Sequence, residues 1–225
     1  VDTVTILAAY LFTNNDDLDV WSELPNNVPD SFNANDLSEV TLVNGLSGTY
    51  AIPGDYTTIT AAASDLSTYG VCDTVIFNIA AGTYNEQVTF GEIVGASEDA
   101  TVTFQSATGN PNDVLITYAA TNSANNWVVN FGGGDYITFR EVMMTATGGY
   151  YGNVVAFSGQ SNHITLEGNR LKGISGTSTN YQAVINMGTA SDDFTLTDNR
   201  IEKGSCWFYS TSGNTASKKH NLVIE

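Results

Sequence analysis

The chain has 225 residues, 42% hydrophobic and only 14% charged, with 24 acidic against 7 basic side chains and a formal net charge of −17 at pH 7. That balance excludes nucleic acid as a partner, because phosphate binding rests on Lys and Arg, and it disfavours anionic membrane surfaces. No apolar run is long enough for a membrane-spanning helix, so no membrane insertion is expected.

Residues 1–46 read as an N-terminal segment or the end of a preceding domain. Val4, Ile6, Ala8 and Tyr10 alternate like one face of a strand. The polar runs Asn14 to Asp19 and Pro25 to Asp30 read as loops. Within the first, Asn15, Asp17 and Asp19 alternate with Glu23 beyond them, a set of oxygen ligands suited to Ca²⁺. Val20 stands where a calcium loop needs a sharp-turn glycine, and Ca²⁺ is the one cofactor the sequence offers a candidate for. The chain starts without the basic residues of a signal peptide and finishes in strand-like text, so it reads as a mature or excised piece of something longer.

Organised text begins near residue 47. Thr49 to Ile52 reads as a strand and Pro53-Gly54-Asp55 as a turn. Ile59, Ala62, Ala63 and Leu66 then fall at i, i+3, i+4 and i+7, the spacing of an amphipathic helix. Asp55 or Thr57 is the expected cap and Gly70 the stop. Such a helix covers the open end of a strand stack.

Two strand registers then repeat. Phe77, Phe104, Phe131 and Phe157 recur at spacings of 27, 27 and 26, each at the end of a strand-like triplet. Ile137, Ile164, Phe194 and Leu222 open a second register at spacings of 27, 30 and 28. This predicts an all-β solenoid of about six parallel coils over 47–225, continuing beyond the C-terminus. The four phenylalanines are expected to form one inward column. Asn169 and Asn199, at matching turn positions, are expected to take the left-handed conformation and to bond from coil to coil as a ladder. Cys72 and Cys206 fall about five coils apart, roughly 24 Å at strand spacing, too far for a disulfide.

Gly54-Asp55-Tyr56-Thr57-Thr58-Ile59-Thr60-Ala61-Ala62 and Phe77-Asn78-Ile79-Ala80-Ala81-Gly82-Thr83-Tyr84-Asn85-Glu86-Gln87-Val88 resemble the opening of right-handed parallel β-helix proteins of the pectin-lyase-like superfamily. They are particularly similar to large adhesin-like surface proteins of the Bacteroidetes type. The resemblance covers roughly residues 46 to 225 and implies a right-handed β-helix with an N-terminal capping helix. It is poor evidence for activity, because enzymes and non-enzymes share the fold.

The enzymatic elements of that superfamily are incomplete. Gln182-Ala183-Val184 matches a pectinesterase tripeptide, but the Gln-Asp-Thr and Asp-Phe-Ile-Phe-Gly elements that carry catalytic aspartates there are missing. Arg170 and Arg200 occupy matching positions and offer an acidic sugar two cations, as in pectate lyases. The acids Asp192, Asp193, Glu167 and Asp198 are near one another only in sequence, and His163 and His220 show no metal spacing. Tyr150, Tyr151, Tyr181, Trp207 and Tyr209 are candidates for an outward surface that stacks on sugars or meets a protein partner. The recurrence of Thr138, Thr165 and Thr195 hints at a flat binding face, but the register is lost at Val223.

The expectation is a non-catalytic, secreted or cell-surface stalk, adhesin segment or fibre subunit. It binds a polysaccharide or another surface protein through its lateral face and can associate end to end. The alternative is a polysaccharide lyase or glycoside hydrolase on the same fold.

Overall fold

Alternating apolar residues in short runs, separated by Gly- and Asn-rich turns, wind the chain into coils of three strands each. A computed structural model describes residues 16–21, 37–42, 45–178, 180–189 and 191–211. The chain divides into two units, 1–44 and 45–225.

In the first unit β1 (Asp16–Trp21) pairs antiparallel with β2 (Leu37–Leu42), Leu18 opposite Val40. Asp17 and Asp19 therefore lie on a paired strand, where the sequence pointed to a loop. The alternation of Leu18 and Val20 with acids is a period of two, which an extended backbone satisfies. An extended strand does not wrap its residues around a cation as a calcium loop does. Asn15, the Val4–Tyr10 run and Glu23 lie outside the described residues.

The second unit is a parallel β-solenoid of about six turns. The first sheet stacks β3 (Leu46–Ile52), β4 (Val71–Ile79), β7 (Val102–Ser106), β10 (Ile137–Arg140), β13 (Thr165–Glu167) and β16 (Thr195–Thr197). The second stacks β5 (Gly82–Asn85), β8 (Val114–Tyr118), β11 (Met143–Ala146), β14 (Arg170–Lys172) and β17 (Arg200–Glu202). The third stacks β6 (Val88–Phe90), β9 (Val129–Phe131), β12 (Val155–Phe157), β15 (Ile185–Met187) and β18 (Phe208–Ser210). All neighbours in these sheets run parallel, so the core is one apolar column walled by three sheets.

Helix α1 (Ile59–Tyr69) buries Ile59, Ala62, Ala63 and Leu66, as the spacing predicts. Its cap is Thr58 rather than Asp55 or Thr57: Thr58 Oγ1 accepts from Ala61 N at 3.0 Å. Asp55 instead accepts from Ala51 N, closing the preceding turn. Glu86 of the next coil accepts from Ile59 N and Thr60 N, so a carboxylate from elsewhere also satisfies the exposed first-turn amides. Gly70 ends the helix at φ 68°, where a Cβ would lie 2.3 Å from Val94 O.

The phenylalanine column is two columns. Phe77 pairs with Phe104 and Phe104 with Phe139 on the first sheet, their rings stacked at 4.5 and 5.2 Å. Phe90, Phe131 and Phe157 form the other on the third sheet. Phe104 and Phe131 belong to the same coil, whose long turns put 27 residues between β7 and β9 positions. One coil length and one within-coil distance happen to coincide.

The asparagine ladder is present with a different backbone from the one expected. The left-handed residues are Glu141, Gly168 and Asp198, each one before the ladder position. Asn169 Oδ1 accepts from Val142 N (3.0 Å), and its Nδ2 donates to Phe139 O (2.8 Å). Asn199 repeats this one coil on, accepting from Asn169 N and donating to Leu166 O. Both asparagines are buried, so each amide serves backbone groups that water cannot reach.

Candidate functional site

On the outer face of the third sheet, one side chain per coil occupies the middle position: Thr89, Asn130, Ala156, Asn186 and Tyr209 stand in register. Ala156 is the smallest of these. Its methyl leaves a gap beside Asn186 of the next strand, about 4.8 Å away at one strand spacing. This gap is the floor of a groove of about 290 Å³. Ser158, Gly188 and Thr189 line it at the corner turn, and Trp127, Asn126, Asn153 and Tyr181 line the opposite wall.

Hydrogen-bonded asparagines hold that wall. Asn126 Nδ2 donates to Asn153 Oδ1 (2.8 Å) and to Tyr181 O (2.9 Å), while Asn126 Oδ1 accepts from Asn153 N. Asn153 Nδ2 donates to Asn180 O and Ala183 O. Asn186 Nδ2 joins the network through Asn153 Oδ1 and Asn180 O, both at 3.1 Å. Three coils are thereby tied together across turns that no sheet covers. Gln87 pins the near end, its Nε2 donating to Asn125 O and Trp127 O.

Two buried polar atoms near this groove lack a partner: Nε1 of Trp127, a lining residue and a donor only, and Oδ1 of Asn130, an acceptor only, which does not line the groove but neighbours Ala156 on the next strand. Asn130 Nδ2 is held by Ser158 Oγ at 2.8 Å, which fixes the orphaned oxygen. Unpaired buried polar atoms are uncommon in folded proteins, and two beside one concavity mark it out.

The residues singled out from sequence scatter over several faces. Tyr181 lines the groove, and Tyr150 and Tyr151 cluster with it at centroid distances of 5.8 and 5.4 Å. Tyr209 continues the Asn186 column by one coil. Trp207 is exposed in the last described coil and does not line the groove.

Arg170 and Arg200 do stack in register, but on the second sheet, away from the tyrosines. Both guanidinium groups contact Glu202 Oε1, at 2.8 and 2.9 Å, and Arg170 also reaches Asn112. The Arg170 hydrogen bond, aided by the charges of Arg170, Arg200 and Lys172, holds the Glu202 carboxyl below its ordinary range. A carboxylate of the chain itself thus takes the place that an acidic sugar was expected to fill.

The acids considered for hydrolysis are likewise separated. Glu167 pairs with Arg140 on the first sheet at 2.9 Å. Asp193 lies 3.5 Å from His163 in left-handed turns, and His163 stacks on Tyr136 at 4.3 Å. His163 and Tyr136 line a second concavity, of about 370 Å³, with Glu98 and Thr138. Among the described residues no three His, Cys, Asp or Glu side chains converge as a metal site.

No family model matches the sequence. No curated protein matches it either. The groove therefore stands on its own geometry. Sequence reading passed over Trp127, Asn126, Asn153, Ala156 and Asn186, although the triplets Val129-Asn130-Phe131, Val155-Ala156-Phe157 and Ile185-Asn186-Met187 carry the signal. Their middle residues are one outward column.

Proposed function

We propose that this chain is a non-catalytic, extracellular β-helix module, a stalk or adhesin segment that binds a glycan through the groove on its third sheet. One observation carries the reading. The described residues that line the groove offer amides, hydroxyls and aromatic rings, with no carboxylate, imidazole, lysine or arginine among them. Amides and hydroxyls match sugar hydroxyls as both donors and acceptors, and Trp127 and Tyr181 supply flat apolar area. Among the described residues that line it there is no carboxylate pair of the kind glycosyl cleavage uses.

The likeness of the 54–62 and 77–88 segments to pectin-lyase-like surface proteins belongs to the same proposal and adds support for an extracellular setting. Its motif residues serve the fold: Thr58 and Glu86 cap α1, and Tyr84 Oη donates to Ala80 O and Ile52 O. They therefore carry over no activity. The excess of acidic side chains keeps such a module soluble and apart from anionic surfaces.

Incubation with plant and algal polysaccharides, with and without Ca²⁺, is expected to yield no unsaturated or reducing ends, while a glycan array shows binding. Turnover of any of these polymers would replace this reading with the lyase or hydrolase alternative.

A further inference from the structure

The groove's chemistry also decides which glycans it takes. Resting on the reading above, we infer that the site selects uncharged saccharides and rejects uronates and other acidic sugars. On an acidic chain, this is a matter of what the groove lacks. All five described cations, Arg140, Arg170, Lys172, Arg200 and Lys203, lie on β10, β14 and β17 or in the turn that follows β17. None lines the groove. A sugar carboxylate entering it would lose water without gaining a counter-charge, against a molecule whose formal net charge is −17. A hydroxyl faces no such penalty.

The groups without protein partners fit the same ligand. Asn186 Nδ2 is used twice within the wall, while its Oδ1 has no hydrogen bond among the described residues and accepts from a hydroxyl. Trp127 Nε1 needs an acceptor and Asn130 Oδ1 needs a donor. A sugar hydroxyl is both donor and acceptor, whereas a carboxylate accepts only and leaves Asn186 Oδ1, on the groove wall, without a donor. Trp127 is half-buried and lines the groove.

Calorimetric titration of the full chain tests this. The probes are neutral tetrasaccharides (cellotetraose, xylotetraose, mannotetraose and galactotetraose) and acidic ones (tetragalacturonate and tetramannuronate). At least one neutral probe is expected to bind ten-fold or more tighter than either acidic one, with affinity unchanged between about 0.05 and about 0.5 M salt. Ala156→Trp, which fills the floor, should abolish that binding. Asn186→Lys should raise uronate affinity at least ten-fold, since an ammonium supplies the missing charge and can still donate to Asn153 Oδ1 and Asn180 O. Circular dichroism and thermal melting check that both variants fold.

Uronate binding as tight as neutral binding, and lost in Ala156→Trp, would overturn the selectivity while leaving the groove as the binding site. Failure of every probe to bind, or binding that Ala156→Trp leaves intact, would overturn the groove reading itself and this inference with it. The wild-type panel alone decides selectivity should either variant misfold.

Discussion

Asn169 shows how one side chain ties three coils. It accepts from Val142 N below, donates to Phe139 O, and presents its own N–H to Asn199 above. Replacing it with Ala strands a buried amide and a buried carbonyl, each costing about 1–3 kcal/mol. Asn169→Ala is therefore expected to lose about 2–4 kcal/mol in urea unfolding, and a loss below about 0.5 kcal/mol would show the ladder to be ornamental. The phenylalanines give a second test. In a double-mutant cycle, Phe104 and Phe139 should couple by about 0.5–1.5 kcal/mol through their stacked rings. Phe104 and Phe131, in different columns, should couple by much less. Sequence spacing alone favours the opposite result. A period of 27 reveals that coils exist, but cannot tell one turn of the solenoid from a path across a single long turn.

At the scale of elements, the capping helix was legible because four apolar residues fix its face, whereas its cap was misplaced by one residue. Thr57 and Thr58 are chemically alike, and only the backbone decides between them. Thr58→Ala should cost about 1 kcal/mol, read as a lowered unfolding midpoint with an unchanged denaturant slope. Val114 to Tyr118 reads as a strand in the sequence, but the later strands of the second sheet stayed hidden for a physical reason. Each of its last strands, Arg170–Lys172 and Arg200–Glu202, points a single apolar residue inward, Leu171 and Ile201, and one residue makes no period. Those strands carry the Arg170–Glu202–Arg200 contact, which sets a pH dependence. The folded Glu202 carboxyl titrates lower than in the unfolded chain. Its contribution is thus present above the ordinary carboxylate range and lost as pH falls through the lower folded value. Comparing unfolding of the wild type with Glu202→Gln should show a stability gap at neutral pH that closes in acid. A gap that widens in acid would contradict the ion pairing.

Across the 45–225 unit, three sheets surround one apolar column, and their lateral positions repeat every coil. That repetition makes architecture easy to read and binding hard to see. The groove exists because one position in an outward column is Ala156 rather than Asn, and because turns of three coils are bonded together by Asn126, Asn153 and Asn186. Residues from three separate turns meet there, and no contiguous motif records the meeting. Of the aromatic residues singled out in the sequence, Tyr181 lines the proposed groove, while Arg170 and Arg200 both contact Glu202.

In the proposed binding mode a glycan is held over Ala156, beside Trp127. Following the indole N–H signals of the three tryptophans by two-dimensional NMR during titration with the neutral tetrasaccharides tests it most directly. The Trp127 signal is expected to shift saturably, together with the Asn186 side-chain amide, while Trp207 stays in place. A saturable shift at Trp207 with Trp127 unmoved would put the binding surface elsewhere and contradict it.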